Sequence, residues 1–120
     1  MIVVRDIFQL KFGKAKEAMD SLKRMIANIV SLRGYGPDRV LTDLTGQYYT
    51  LIMETTYNDL ADYDQAMHNT TSSDDWKKEY HLFVDLVESG RREIFNVVQT
   101  EQTEKQRMKA EATARAGTSR

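Results

Sequence analysis

The stretch Gln47–Tyr57, QYYTLIMETTY, constrains this chain more than any other. Read with the two-residue period of a strand, Tyr49, Leu51 and Met53 point one way, and Tyr48, Thr50, Ile52 and Glu54 the other. The first set is apolar. The second is mixed, yet Tyr48 and Ile52 also favour burial. An antiparallel strand with one face in water alternates more cleanly. The pattern therefore predicts a central strand covered on both faces. The helices of the chain suffice for one face. A second copy is the simplest cover for the other, so a homodimer through the sheet is expected.

The rest of the chain falls into place around that strand. Residues 2–11, IVVRDIFQLK, repeat the two-sided pattern: Ile2, Val4, Asp6, Phe8 and Leu10 on one parity, Val3, Arg5, Ile7 and Gln9 on the other. Each parity carries one charge amid apolar residues, and Phe12-Gly13 turns the chain. From 14 to 33, Ala15, Ala18, Met19, Leu22, Met25, Ile26, Ile29 and Leu32 form an apolar stripe at helical spacing. Gly34, Gly36 and the single proline, Pro37, stop that helix. Residues 38–45 read as a second strand, joined to 47–57 by a turn at Thr45-Gly46. A helix is expected from Asp59, capped by Asn58 or Thr56 and broken at 69–73. Another follows over 74–88, capped by Ser72 or Ser73 and ended by Gly90, with a last strand at 91–99. The order is β-α-β-β-α-β with the second helical segment split in two. This is an α+β, ferredoxin-like arrangement with a four-stranded antiparallel sheet and helices on one face. It spans residues 1–99. Residues 100–120 hold one large apolar side chain, Met108, and read as a polar, disordered tail.

Composition removes several function classes. A formal net charge of −1 gives no reason to expect nucleic acid or an anionic membrane as partner. The absence of cysteine excludes disulfides, thiolate metal sites and a cysteine nucleophile. With no signal-like N-terminus and no membrane-length apolar run, a cytoplasmic protein is expected. There is no Gly-rich phosphate loop, no Ser-His-Asp spacing and no dinucleotide fingerprint, and no cofactor is expected.

Two short motifs carry a family resemblance. Lys11-Phe12-Gly13-Lys14, between a strand and an amphipathic helix, resembles the opening of dimeric α+β barrel proteins, with Phe12 in place of their usual proline. Ser73-Asp74-Asp75-Trp76 resembles the family's serine-to-aromatic segment. The likeness covers residues 2–99, and its nearest branches are the NIPSNAP-like and antibiotic-biosynthesis-monooxygenase-like proteins. It implies a dimeric barrel. It also implies either a small-molecule-binding protein without catalysis or a cofactor-independent monooxygenase or isomerase acting on an aromatic or polycyclic compound. The haem-degrading branch resembles an asparagine, tryptophan and histidine set, whose positions here read Asp6, Ala66 and Tyr80. None of the three matches. The NIPSNAP-like Glu-x-Arg pair falls on Val4 and Asp6 and is also missing.

The candidate site residues follow from charge and aromaticity. Arg5, Asp6 and Glu54 are charged positions on strands that should be adjacent. A charge in mid-strand must be paired or line a wet cavity. Asp6 and Glu54 are thus candidate catalytic bases, and Arg5 a candidate ligand contact. The alternative is a cross-strand or intersubunit ion pair between Arg5 and a carboxylate. Trp76, Tyr80 and Phe83 share a helix face that Tyr49 can reach, which makes either an aromatic-ligand wall or plain core. His81 and Asp85 are spaced for one helix face, but two ligands are too few for a metal, so His81 is at most a ligand contact and no metal site is expected. His68 suits a helix C-terminus. Arg91-Arg92 suits an anion or an exposed edge.

Overall fold

The computed structural model describes residues 1–98. Their elements are β1 (Ile2–Leu10), α1 (Ala15–Arg33), β2 (Arg39–Thr42), β3 (Thr50–Tyr57), α2 (Leu60–Thr71), α3 (Asp74–Val84) and β4 (Val87–Asn96). The expected tail at 100–120 lies outside the described residues. The four strands form one antiparallel sheet in the order β2-β3-β1-β4, which puts β1 and β3, the two strands with the two-sided pattern, at its centre. This is the expected α+β architecture with a ferredoxin-like strand order.

One parity of each central strand packs under the helices. Leu10, Ala18, Leu22, Met25, Leu51 and Phe83 form the larger buried cluster. Ile2, Val4, Tyr57 and Ala66 form a second. The stripe of α1 supplies Ala18, Leu22, Met25 and Ile29, all buried. Its end is set by Gly34, whose φ of 81° lets the chain turn left-handed while its N–H bonds the Val30 carbonyl at 2.8 Å.

Several boundaries differ from expectation. β3 starts at Thr50 and not Gln47, because Tyr49 takes a left-handed backbone (φ 59°) that no strand accepts. β2 is confined to Arg39–Thr42, after which Asp43 Oδ1 accepts from the Thr50 N–H at 2.9 Å and closes the loop. The cap of α2 is Asp59 itself, whose carboxylate accepts from the Asp62 N–H at 2.8 Å. Gly90 does not end α3. That helix stops at Val84, and Gly90 lies inside β4 opposite Phe8, where a Cβ would stand 3.1 Å from the Phe8 ring. The glycine serves close packing in the sheet, so β4 begins at Val87 and not residue 91.

The face of the sheet away from the helices has a specific pattern. Glu93, Arg5, Glu54 and Arg39 lie in register across all four strands, giving a row of alternating charge. Beside it run Arg91, Ile7, Ile52 and Leu41. The two-sided pattern of β1 and β3 thus reflects a charge ladder next to an apolar band.

Candidate functional site

The site is built where α3 crosses the sheet. Ser73 caps α3, its hydroxyl accepting from the Trp76 N–H at 3.3 Å, with Asp74 and Asp75 complementing the helix N-terminus. That start fixes Trp76 one turn in and Tyr80 one turn later. The two rings stack with centroids 4.7 Å apart and planes 14° from parallel. Beneath them lie Val4, Asp6 and Phe8 of β1, Met53, Thr55 and Tyr57 of β3, and Arg92 of β4. Together with Met25, Tyr63 and Met67 they enclose a cavity of about 70 Å³. At about 30 Å³ of liquid volume per water, that is room for two water molecules or the tip of a ligand.

Its polar groups are few. Arg92 stands opposite Asp6 in the β1–β4 register, and its Nε donates to Asp6 Oδ1 at 2.6 Å. The same guanidinium lies over the Tyr63 ring, 5.6 Å from its centre. Burial pulls the Arg92 pKa down, but the bond to Asp6 outweighs it, so the net shift is upward. Burial also raises the Tyr57 and Tyr63 hydroxyls above the usual tyrosine value, holding both as O–H donors. Trp76 Nε1 is buried and has no hydrogen-bond partner, the one such side-chain atom among the described residues. An orphaned buried donor costs about 1–3 kcal/mol, so the indole marks a place where an acceptor is wanted.

A wider cleft of about 440 Å³ lies on the other side of Asp6, Phe8, Tyr80 and Arg92, between α3 and β4. Those four residues line both spaces. The Asp6–Arg92 pair and Tyr80 therefore form the wall between an inner chamber and an outer one.

Of the sequence-derived candidates, Asp6, Trp76 and Tyr80 come together at this cavity. Glu54 and Arg5 do not reach it. They pair on the opposite sheet face, with Arg5 Nη2 2.7 Å from Glu54 Oε2 and Arg39 bonded to Glu54 Oε1. That is the cross-strand ion pair named above as the alternative for Arg5. Tyr49 packs edge-on against Phe12, 5.1 Å between centroids, and does not line the cavity. His81 is exposed on α3 beside Tyr80. His68 is exposed near the end of α2, its Nδ1 2.8 Å from the Asp64 carbonyl. Among the described residues no cluster of three His, Cys, Asp or Glu side chains could hold a metal ion, and no helix is long and apolar enough to cross a membrane. Thr55, Tyr57 and Tyr63 escaped the sequence reading, which marks Arg92 only as an anion contact or an exposed edge charge, not as the partner of Asp6. Only the β1–β4 register, which sets Arg92 opposite Asp6, could have paired the two.

No family model and no curated protein sequence matches the chain. Solved structures do. A NIPSNAP family protein of unknown function from Agrobacterium tumefaciens superposes with a TM-score of 0.76 at 15% identity, over 84% of this chain and 91% of its own. A second NIPSNAP family protein from the same organism gives 0.74 at 20% identity, over 83% and 86%. SnoaB, a cofactor-independent oxygenase from Streptomyces nogalater, gives 0.61 at 15% identity, over 83% and 95%. The fold is that of the NIPSNAP-like and antibiotic-biosynthesis-monooxygenase-like proteins. At these identities the likeness is one of architecture.

Proposed function

We propose that this chain binds a small aromatic molecule in the outer cleft between α3 and β4, with the ligand's polar tip reaching the inner cavity, as a homodimer of the α+β barrel type, without a requirement for catalysis. The observation that carries the reading is the buried, unpartnered indole N–H of Trp76, a residue that lines a cavity walled by aromatic rings. A ligand with a carbonyl or phenolic oxygen would satisfy that donor and slide its ring against Tyr80. Trp76 is the sole tryptophan of the chain, so intrinsic tryptophan fluorescence reports on this site alone. Titration with 1-naphthol and 1,4-naphthoquinone should shift or quench that emission saturably and raise the Tm. Trp76→Phe keeps an aromatic ring, smaller than the indole, but removes the donor, and should weaken the Tm shift several-fold. Absence of a saturable fluorescence change with either probe would overturn the reading.

A second reading, a cofactor-independent monooxygenase or isomerase, is favoured by one observation. Asp6 is held in the cavity wall by Arg92 through Oδ1, which leaves its other oxygen uncommitted. A carboxylate oriented in this way can take a proton from a phenolic ligand. Oxygen consumption on adding a bound phenol, falling about 100-fold or more in Asp6→Asn, would support the enzyme. Binding without turnover leaves the first reading alone.

The dimer rests on the face away from the helices. Its apolar band, in which Ile7 is buried while Ile52 and Leu41 reach the surface, lies beside self-complementary charges, which suits an isologous contact. A standard interface buries roughly 800 Å² per partner. Sedimentation at micromolar concentration should therefore show a dimer. Ile52→Asp, which puts a lone carboxylate in the apolar band, should give monomer. A wild-type monomer at that concentration would remove this part of the proposal.

A further inference from the structure

A different cleft, of about 450 Å³, opens beyond the C-terminal end of α1, between α2 and the end of β3. It shares only Arg33 and Tyr57 with the inner cavity. Its volume is in the range of small-molecule sites.

Arg33 forms the floor, and its bonding is incomplete. Its Nε donates to Thr70 Oγ1 at 2.9 Å, Nη1 to Tyr57 Oη at 2.8 Å, and Nη2 to the Ala66 carbonyl at 3.2 Å. All three acceptors are neutral, and Arg33 takes part in none of the ion pairs among the described residues. A guanidinium has five N–H groups, so one on each terminal nitrogen is left, the second having only Met67 Sδ at 3.8 Å. Tyr57 Oη accepts from Arg33 and still has its own proton to give. A half-buried cation and a hydroxyl donor thus stand together with capacity unspent. That combination fits one oxyanion.

The walls are of another kind. Asn58, Gln65 and Asn69, all exposed residues that carry carboxamides, line the cleft. Asp62, in the first turn of α2, adds a carboxylate. The Tyr35 ring lies on the other side, with the Arg33 guanidinium 5.8 Å from its centre. A carboxamide offers a donor and an acceptor at once, which is what a hydroxyl group needs. A carboxylate such as Asp62 accepts from hydroxyls and repels an acid group, so it fixes which end of a ligand enters. An aromatic face suits the C–H side of a pyranose ring.

From this set we infer that the cleft is a second ligand site, separate from the aromatic cavity, and that it takes a sugar acid. The carboxylate sits on Arg33 and Tyr57, and the ring hydroxyls face Asp62 and the carboxamides. Burial raises the Tyr57 hydroxyl pKa, so it stays protonated as a donor at neutral pH.

The test is a titration with glucuronate, with glucose and with glutamate, followed by NMR shifts of the asparagine and glutamine side-chain amides. Glucuronate should bind, glucose at least about tenfold more weakly because it lacks the charged partner for Arg33, and glutamate no better than glucose. Gln65→Ala and Asn69→Ala, both at exposed positions, should each weaken glucuronate about two- to tenfold with Tm unchanged. Arg33→Lys keeps the charge but loses the fork and should weaken it too. Equal binding of glucose and glucuronate, preference for glutamate, or no saturable shift with any of the three would overturn the inference. Fluorescence of Trp76 separates the two sites: naphthol binding should survive Gln65→Ala and Asn69→Ala.

Discussion

Phe83→Ala is expected to destabilise the folded chain by about 3–5 kcal/mol. Phe83 is only 1% exposed and sits in the larger buried cluster with Leu10, Leu22, Leu51 and Met25. Its ring meets Phe8 edge-on, centroids 5.0 Å apart at 84°, a geometry that adds to simple burial. Removing it takes away the transfer energy of the ring and leaves a void between α3 and the sheet that neither Leu22 nor Leu51 can fill. A domain of this size has about 5–15 kcal/mol in total, so a large share of the stability depends on this side chain. Urea unfolding followed by circular dichroism measures the loss, and Leu44→Ala serves as the control. Leu44 is 97% exposed and should change stability by no more than about 0.5 kcal/mol. A loss below about 1 kcal/mol for Phe83→Ala would mean that the α3–sheet contact is not the core of the fold. The same side chain lines the outer cleft, so the substitution should also alter ligand access there.

The features that were legible in the sequence are those carried by local period. The stripe of α1 as far as Ile29, the stop at Gly34 and the two-sided character of β1 and β3 all reflect spacing along the chain, and the structure has them where the spacing puts them, whereas Leu32, the last expected member of the stripe, is exposed. The features that were not legible depend on register between distant segments. Nothing within residues 89–93 says that Gly90 meets Phe8 or that Arg92 meets Asp6. Both facts follow from how β4 lies along β1. Read alone, the glycine looks like a helix stop. The arginine looks like an anion contact or an exposed edge charge, and it does stand on the edge strand β4 with its side chain 46% exposed; what the local sequence hides is its partner, Asp6. Tyr49 failed for another reason. Its aromatic character favours a strand, but the loop from Asp43 demands a left-handed residue there, and closing the loop outweighs propensity. Trp76 and Tyr80 could be recognised because they are one helical turn apart. Their isolation from Glu54 could not, since both Asp6 and Glu54 read as mid-strand carboxylates. They lie on opposite faces of one sheet because Asp6 falls on the parity of Val4 and Phe8, and Glu54 on that of Ile52.

That separation makes Glu54 the residue whose loss should be most dependent on pH. Its carboxylate is 4% exposed at the centre of the charge row, bonded to Arg5 at 2.9 Å and to Arg39. Burial alone would raise its pKa. The bonds from Arg39 and Arg5 and their charges outweigh burial and hold it below the ordinary glutamate value of 4.5. A carboxylate depressed in the folded state contributes stability that is fully present above its unfolded pKa and is lost as pH falls through the folded one. Glu54→Gln should therefore cost most at pH 7. Both arginines reach water, with side chains 35% and 51% exposed, so the cost is discounted from that of a fully buried pair to about 1–3 kcal/mol. As pH drops from about 4.5 towards 2, the wild-type side chain takes up its proton and becomes a near-isostere of the variant, and the two unfolding curves should converge. All measurements use one fixed protein concentration, because any dimer contribution to stability depends on it. A gap of the same size at pH 7 and pH 3 would mean that packing, and not the two guanidiniums, is what Glu54 supplies. If the charge row lies inside a dimer, the arginines lose their access to water. The pH 7 cost should then move towards the upper end of that range as protein concentration rises, which ties the ionisation of one side chain to the assembly of the sheet face around it.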